Sequence, residues 1–256
     1  MQSSISHATA QGSRSEQQDR YICTRIDLAN GPRRAGHLLA ILDGHGGQRT
    51  AEIAAEGLAS VFEKSVREAA GRVDQALRVT FQDLVELTQK EPSGSTLSIV
   101  YVPDDKPRAY VGVLGDSPVI IQDVTGSLFV SPLHNARWNP PERAAAVARG
   151  AIYRGGYLED PDVPDYGLQL SRALGDRNLA RILNREPEIQ RVELGNKSFI
   201  LLASDGILDA FAPIEDQVKR LADLVQRGRD ASDLVKDALQ RRTGDNVTVI
   251  IWKKGS

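Results

Sequence analysis

The sequence predicts an α+β fold rather than a doubly wound parallel sheet. Three observations carry this: strand-like and helix-like segments come partly in blocks, neighbouring strands are joined by turns too short for a crossover, and each helix-like segment has one apolar face. Arg20–Leu28 and Leu38–Asp43 read as strands. Two helices follow, the first with Ala51, Ala55, Leu58 and Phe62 in one stripe, the second with Val73, Leu77, Phe81, Leu84 and Leu87. "STLSIVYV", "RAYVGVLGD" and "PVIIQDV" then form a run of hairpin strands with a turn at Asp116–Ser117. Pro140–Pro141 open a helix that Gly150 closes. The Gly- and Pro-punctuated stretch from Tyr153 to Tyr166 reads as a surface loop or flap. "KSFILLASDG" is a buried strand, and Ile214, Val218, Leu221 and Val225 stripe the next helix. Asp230 is placed to cap a last helix bearing Leu234, Val235, Ala238 and Leu239, and "NVTVIIWKK" closes the chain as a strand.

Composition narrows the function. The 256 residues are 41% hydrophobic and 26% charged, with a formal net charge of −2, so neither a nucleic-acid footprint nor a polybasic membrane anchor is expected. Cys23 is the only cysteine, which excludes an intrachain disulfide and a thiolate metal cluster. The first twenty residues lack the apolar centre of a secretory signal, and no apolar run approaches a membrane span of about 18 residues. A soluble protein of the cytoplasm is the expectation.

Four places share one construction, an apolar strand abutting an aspartate at a turn: "LLAILDGHGG" (Asp43), "GVLGDSP" (Asp116), "FILLASDGILD" (Asp205, Asp209) and "TGDNVTVII" (Asp245). Each alone can be only a turn, because Asp-Gly and Gly-Asp are common turn pairs. Strands of one core, however, bring their ends to a common rim, and several carboxylates at one rim repel. Few bases lie nearby in the sequence to offset this, so divalent cations with oxygen ligands, Mg²⁺ or Mn²⁺, are the economical answer. Gly44 lets its carbonyl approach an ion, and Gly46–Gly47 allow a tight turn into the helix. Two such ions can activate a bridging water and hold a phosphoryl group, which makes a protein nucleophile unnecessary. The sequence offers none: it has no G-x-S-x-G elbow, no P-loop and no H-E-x-x-H. His45, beside Asp43, is placed to protonate an alkoxide leaving group, and Arg14 is the candidate phosphate clamp.

The segments "GSRSEQQDR", "LDGHGG", "GST", "LGDS", "LSRALGD", "ASDGILD" and "TGDNVTVII", in this order over nearly the whole chain, resemble the type-2C, metal-dependent PPM family of protein phosphatases. The resemblance implies one phosphatase domain over residues 1–256, built as a four-layer αββα sandwich with the metal centre at one end and a flap at about 150–166. It implies hydrolysis of phosphoserine and phosphothreonine in protein substrates by a metal-bridging water, with two core Mg²⁺ or Mn²⁺ ions and a weaker third, in a monomer. Asp43 would bridge the core ions, Gly44 would bind one through its carbonyl, and Asp205 and Asp245 would complete the other's shell. Asp19 falls at the family's N-terminal acidic position, Asp116 and Asp209 at the third-ion position, Arg14 at the phosphate-binding arginine and His45 at the general acid. Two departures stand out. Gln18 takes a place where many members carry an acid, and Pro118 replaces the arginine that usually follows "GDS", which bears on the third ion. Two other readings remain: a weakened member acting as a phosphoprotein scaffold, and a hydrolase of small phosphate esters.

Overall fold

The structure is a computed structural model describing residues 3–27, 35–208 and 212–255. Its strands and helices run β1 (Ser4–Ala10), β2 (Arg20–Ile26), β3 (Gly36–Leu42), β4 (Gly44–His45), α1 (Arg49–Glu68), α2 (Val73–Thr88), β5 (Gly94–Ser95), β6 (Leu97–Pro103), β7 (Arg108–Leu114), β8 (Val119–Gln122) and β9 (Leu128–Val130). They continue as α3 (Pro140–Ala148), β10 (Ile152–Arg154), β11 (Tyr157–Glu159), β12 (Gly167–Leu168), β13 (Leu174–Gly175), β14 (Glu188–Glu193), β15 (Phe199–Ala203), α4 (Ile214–Gln226), α5 (Ala231–Gln240) and β16 (Val247–Lys253). Two five-stranded sheets, ordered β14-β7-β6-β3-β2 and β1-β16-β15-β8-β9, are antiparallel throughout.

Side-chain alternation turns these sheets into four layers. In β3, Leu38, Ala40 and Leu42 pack with Leu58 and Phe62 of α1 and Leu77 and Phe81 of α2, while Leu39 and Ile41 face the other way. There they meet Val119, Ile200, Leu202 and Ile250 of the second sheet. In turn Leu201, Ala203, Val249 and Ile251 pack against Leu221 of α4 and Leu234 of α5. The period of two along each strand therefore puts apolar groups on both faces, which is why the strands read as nearly unbroken apolar runs. Each fully buried Leu or Phe in these layers contributes roughly 1.5–3 kcal/mol of transfer free energy. The expected α+β fold and αββα sandwich are observed.

Three details differ from the expectation. Leu87 is 53% exposed, and Thr88 takes the buried position after Leu84, its hydroxyl donating to the Leu84 carbonyl at 2.7 Å. Leu239 is likewise exposed while Ala238 is buried. The stretch expected as a surface loop or flap carries two strands, β10 and β11, which with β12 just beyond it make a small antiparallel sheet over a core in which Leu158 packs with Ala146, Leu170 and Leu179. Asp230 does cap α5, as a full capping box with Asp233.

Candidate active site

Strand direction decides where the acids go. The pairings Arg20 with Leu42, Leu97 with Leu114, Val119 with Leu202, Ala203 with Val249 and Ala10 with Val247 put one end of each of these strands at a single rim. Asp19, Asp43, Asp116, Asp205 and Asp245 each lie one or two residues beyond those ends. Arg14, Asp43, Gly44, His45, Asp116, Asp205 and Asp245 line one cleft of 280 Å³, and Asp19 stands behind it, buried. A larger groove of 740 Å³ opens at the opposite end of the strands, where Arg25 is paired with Asp104 and the lining acids among the described residues are Asp104 and Asp105.

The acids perturb one another. Burial, then the charges of Asp19, Asp205, Asp116 and Asp245, push the Asp43 carboxyl well above its ordinary value of 3.8. Asp205 is raised well above 3.8 in the same way, by burial and then by Asp116 and Asp245, and its backbone N–H points to Asp43 Oδ2 at 3.4 Å. Burial also raises Asp116, against the opposing hydrogen bond from Asn135 Nδ2 at 2.7 Å. Asp19 is raised by burial although Ser204 and Thr248 hydroxyls both donate to its Oδ2, at 2.8 and 2.7 Å. Its Oδ1 is buried with no donor among the described residues. Buried oxygens facing one another without enough donors are the donor set of a hard cation. The residues present thus fit divalent ions.

A layer of hydroxyls and amides fixes the backbone that carries these carboxylates. Thr96 Oγ1 accepts from the Asp43 N–H at 3.0 Å and meets Ser117 Oγ at 2.7 Å. Asn246 accepts from the Gln18 N–H at 2.8 Å and donates to the Gln11 and Glu16 carbonyls, tying the N-terminal loop to the Asp245 turn. Thr96, Ser117, Asn135, Ser204, Asn246 and Thr248 have no individual role in the sequence reading. The only signal for Thr96, Ser117, Ser204, Asn246 and Thr248 is their place inside the "GST", "LGDS", "ASDGILD" and "TGDNVTVII" segments, and Asn135 lies in none of them.

Among the described residues, the only three ligand-type side chains whose donor atoms lie within 4.8 Å of one another are His134, Glu142 and Glu188. Hydrogen bonding argues against a metal there. His134 Nδ1 accepts from the Gly115 N–H at 3.0 Å, so in the neutral ring Nε2 carries the hydrogen and offers no lone pair. Arg172 already occupies the cationic position, with Nη2 at 2.5 Å from Glu142 Oε1 and 3.1 Å from Glu188 Oε1. The rim aspartates are more widely spaced, as two ions with water completing their shells allow.

The remaining candidates are placed as follows. His45 lines the cleft, and its Nε2 lies 2.7 Å from Oδ2 of Asp176, a residue with no assigned role in the sequence reading. Arg14 is at the cleft, but its Nη2 donates to Asp245 Oδ2 at 2.7 Å, so a compensating base that the sequence reading did not count is present. Gly46 and Gly47 have φ of +64° and +125°, as the tight turn into α1 requires. Pro118 leaves Asp116 in the cleft, and its carbonyl accepts from the Ala203 N–H at 3.1 Å, joining β8 to β15. Asp209 lies outside the described residues.

An acid-lined cleft at the rim of an αββα sandwich offers the oxygen donors that divalent cations take, and comparison with known proteins places the chain in a family. The family described as "Protein phosphatase 2C" matches residues 3–247. "Probable protein phosphatase 2C 69" and "Probable protein phosphatase 2C 59", both of Arabidopsis thaliana, are each 30% identical over 254 residues, which is 97% of this chain and 69% and 78% of theirs. Among solved structures, the serine-threonine phosphatase 2C of Toxoplasma gondii superposes with a TM-score of 0.79 at 20% identity, covering 97% of this chain and 93% of that one. The catalytic domain of the serine threonine protein phosphatase PstP, solved in complex with two manganese ions, gives a TM-score of 0.57 at 19% identity, with 99% of both chains covered. These structures share the fold. The chain belongs to the protein phosphatase 2C family, and its activity class is that of a protein phosphatase.

Proposed function

We propose that this cleft hydrolyses phosphoserine and phosphothreonine in proteins, with Mg²⁺ or Mn²⁺ held at the acidic rim. The observation that carries the reading is the pair Asp43 and Asp205, from distant parts of the chain, facing each other and both pushed well above the carboxylate range. Asp43, Asp205, Asp245 and the Gly44 carbonyl would hold two core ions, with Asp19 supporting Asp43 from behind. Asp116 and Asp209 would hold a weaker third. When bound, the ions supply positive charge to the phosphoryl oxygens and acidify the attacking water.

The chain's own groups do the rest. Arg14, at the cleft edge, offers a planar guanidinium that can hold two phosphate oxygens, exchanging its Asp245 partner for substrate. His45 delivers a proton to the departing serine or threonine oxygen, which is too basic to leave as a free alkoxide. Tyr157 and the segment from Gly167 to Leu170 also line the cleft and are placed to meet the peptide around the phosphoresidue. Phosphate release from a phosphoserine peptide is expected with Mn²⁺ or Mg²⁺ and is expected to stop with EDTA. No release in either metal contradicts the reading.

The proposal extends to a monomer working in the cytoplasm, on protein rather than on nucleic acid or at a membrane. No helix among the described residues is long and apolar enough to cross one. Light scattering on the purified chain tests the oligomeric state, and a dimer mass contradicts that part.

A further inference from the structure

We propose that Asp176 is the positioning residue of the proton donor: it holds the His45 ring by Nε2 and leaves Nδ1 to deliver the proton to the leaving oxygen. This rests on the reading of His45 as general acid. The geometry comes from a three-stranded ribbon, β13-β5-β4, in which Gly175 pairs with Gly94 and Gly94 with His45. Asp176 and His45 therefore approach each other across Gly94, from positions 131 residues apart. A Cβ built on Gly94 would overlap both Asp176 Oδ2 and His45 Nε2, so the missing side chain is what lets the two meet. That gives the glycine of "GST" a physical reason.

Asp176 is held for this task and exposed to nothing else. Its side chain is fully buried, while that of His45 keeps 22% exposure to the cleft. Its backbone takes a left-handed φ of +48°, an uncommon conformation for a residue with a side chain. Its N–H donates to the Ser93 carbonyl at 2.9 Å, and its carbonyl accepts from the Leu179 N–H at 2.9 Å. Oδ1 accepts from the Tyr166 hydroxyl at 3.4 Å, which leaves Oδ2 for the imidazole. Arg185, largely buried, donates through Nη1 to the Ala173 carbonyl and through Nη2 to the Gly175 carbonyl, and puts a positive charge near the carboxylate. An ionised carboxylate only accepts, so Nε2 must be the donor of the 2.7 Å bond. In the reaction the bond from phosphorus to the leaving oxygen breaks with its electron pair on that oxygen, which takes the hydrogen from Nδ1. The bond from phosphorus to the attacking water oxygen forms. The ring ends neutral with its hydrogen on Nε2, still held by Asp176. The arrangement has the logic of an acid that orients a catalytic histidine and fixes its tautomer.

The test compares leaving groups. p-Nitrophenolate departs with little proton assistance and a serine alkoxide needs much, so loss of the donor falls on the phosphopeptide first. Wild type, Asp176→Asn, His45→Ala and the double variant are assayed on a phosphoserine peptide and on p-nitrophenyl phosphate in saturating Mn²⁺. The kcat loss of Asp176→Asn on the peptide is expected to exceed its loss on the nitrophenyl ester by about tenfold or more, and the double variant is expected to be no worse than His45→Ala, as for two residues acting as one unit. Equal losses of Asp176→Asn on both substrates, or losses that add to those of His45→Ala, would overturn the positioning role while leaving His45 as acid. Equal losses of His45→Ala on both substrates would overturn the acid reading, and this proposal with it. If Asp176→Asn does not fold, ¹⁵N NMR of the Mg²⁺-loaded wild type decides: the neutral His45 ring is expected to carry its hydrogen on Nε2, and a hydrogen on Nδ1 overturns the proposal.

Discussion

Asp43 shows what a single carboxylate at this rim does to the protein. Burial and four neighbouring acids raise its pKa well above 3.8, and Asp205 follows it. In the unfolded chain both lose their protons near 3.8, whereas in the fold they keep them to higher pH. The stability they contribute is therefore complete below 3.8 and is lost as pH rises through the raised folded values. His134 works in the opposite sense: burial lowers it to about 4, so its contribution is lost as pH falls from 6.5 toward 4. Where His134 is already neutral, the melting temperature of EDTA-treated protein is expected to fall as pH rises through the raised folded values of the carboxylates, and to fall less in Asp43→Asn, which carries one buried charge fewer. A variant as steep as wild type contradicts the repulsion argument. Asp43→Asn is also expected to lower phosphopeptide turnover by at least about 100-fold, because an amide oxygen cannot replace the charge that holds a dication; near-normal turnover contradicts the assignment. Asp43, Asp116, Asp205 and Asp245 are legible in the sequence because each abuts an apolar run that reads as a strand. Asp176 and the hydroxyls of Thr96, Ser204 and Thr248 are not, because their meaning lies in partners far away in the chain, 131 residues for Asp176 and 229 for the Thr248 contact with Asp19.

At the scale of elements, stripe reading works where the helix is long and stops working at its last turn. Leu58 and Phe62 of α1 and Leu77, Phe81 and Leu84 of α2 are all fully buried. After Leu84 the stripe can continue at i+3 or i+4, and hydrophobicity alone selects Leu87. The fold instead buries Thr88, which remains tolerable because its hydroxyl is satisfied by the preceding turn. The last turn of α5 behaves alike at Leu239. Caps are easier to read because their chemistry is local. Asp230 accepts from the Asp233 N–H at 2.9 Å, and Asp233 accepts in return from the Asp230 N–H at 3.4 Å. Asp230→Ala is expected to destabilise the protein by about 1 kcal/mol. That corresponds to roughly 2–4 °C in Tm for a domain of this size. An unchanged Tm would mean that α5 is held by its packing against β1 and β16 alone. The segment around 150–166 reads as a loop because its glycines and prolines mask two short strands, β10 and β11, and β11 pairs on with β12 just beyond it while Leu158 packs into a core made by α3 and the residues around Leu179.

At the scale of the whole molecule, two antiparallel sheets convert local turn chemistry into one site. No aspartate at the rim is unusual by itself. The strand order β14-β7-β6-β3-β2 against β1-β16-β15-β8-β9 makes five of them neighbours, while the Ser204 and Thr248 hydroxyls hold Asp19 Oδ2 and Thr96 holds the Asp43 backbone N–H. The sequence carries the α+β class in its block order and the αββα sandwich in the resemblance to a known family, while the partnership of Arg14 with Asp245 becomes visible only in three dimensions. Ions that bind only the folded form add stability by mass action, so saturating Mn²⁺ is expected to raise Tm, and to raise it less in Asp245→Asn. The most direct measurement is anomalous X-ray scattering at the manganese edge from crystals soaked in Mn²⁺. The account predicts two peaks in the cleft, both within coordination distance of Asp43 and at least one within that distance of Asp205 and Asp245. Peaks confined to the His134, Glu142 and Glu188 cluster, or no peak beside Asp43, would contradict it.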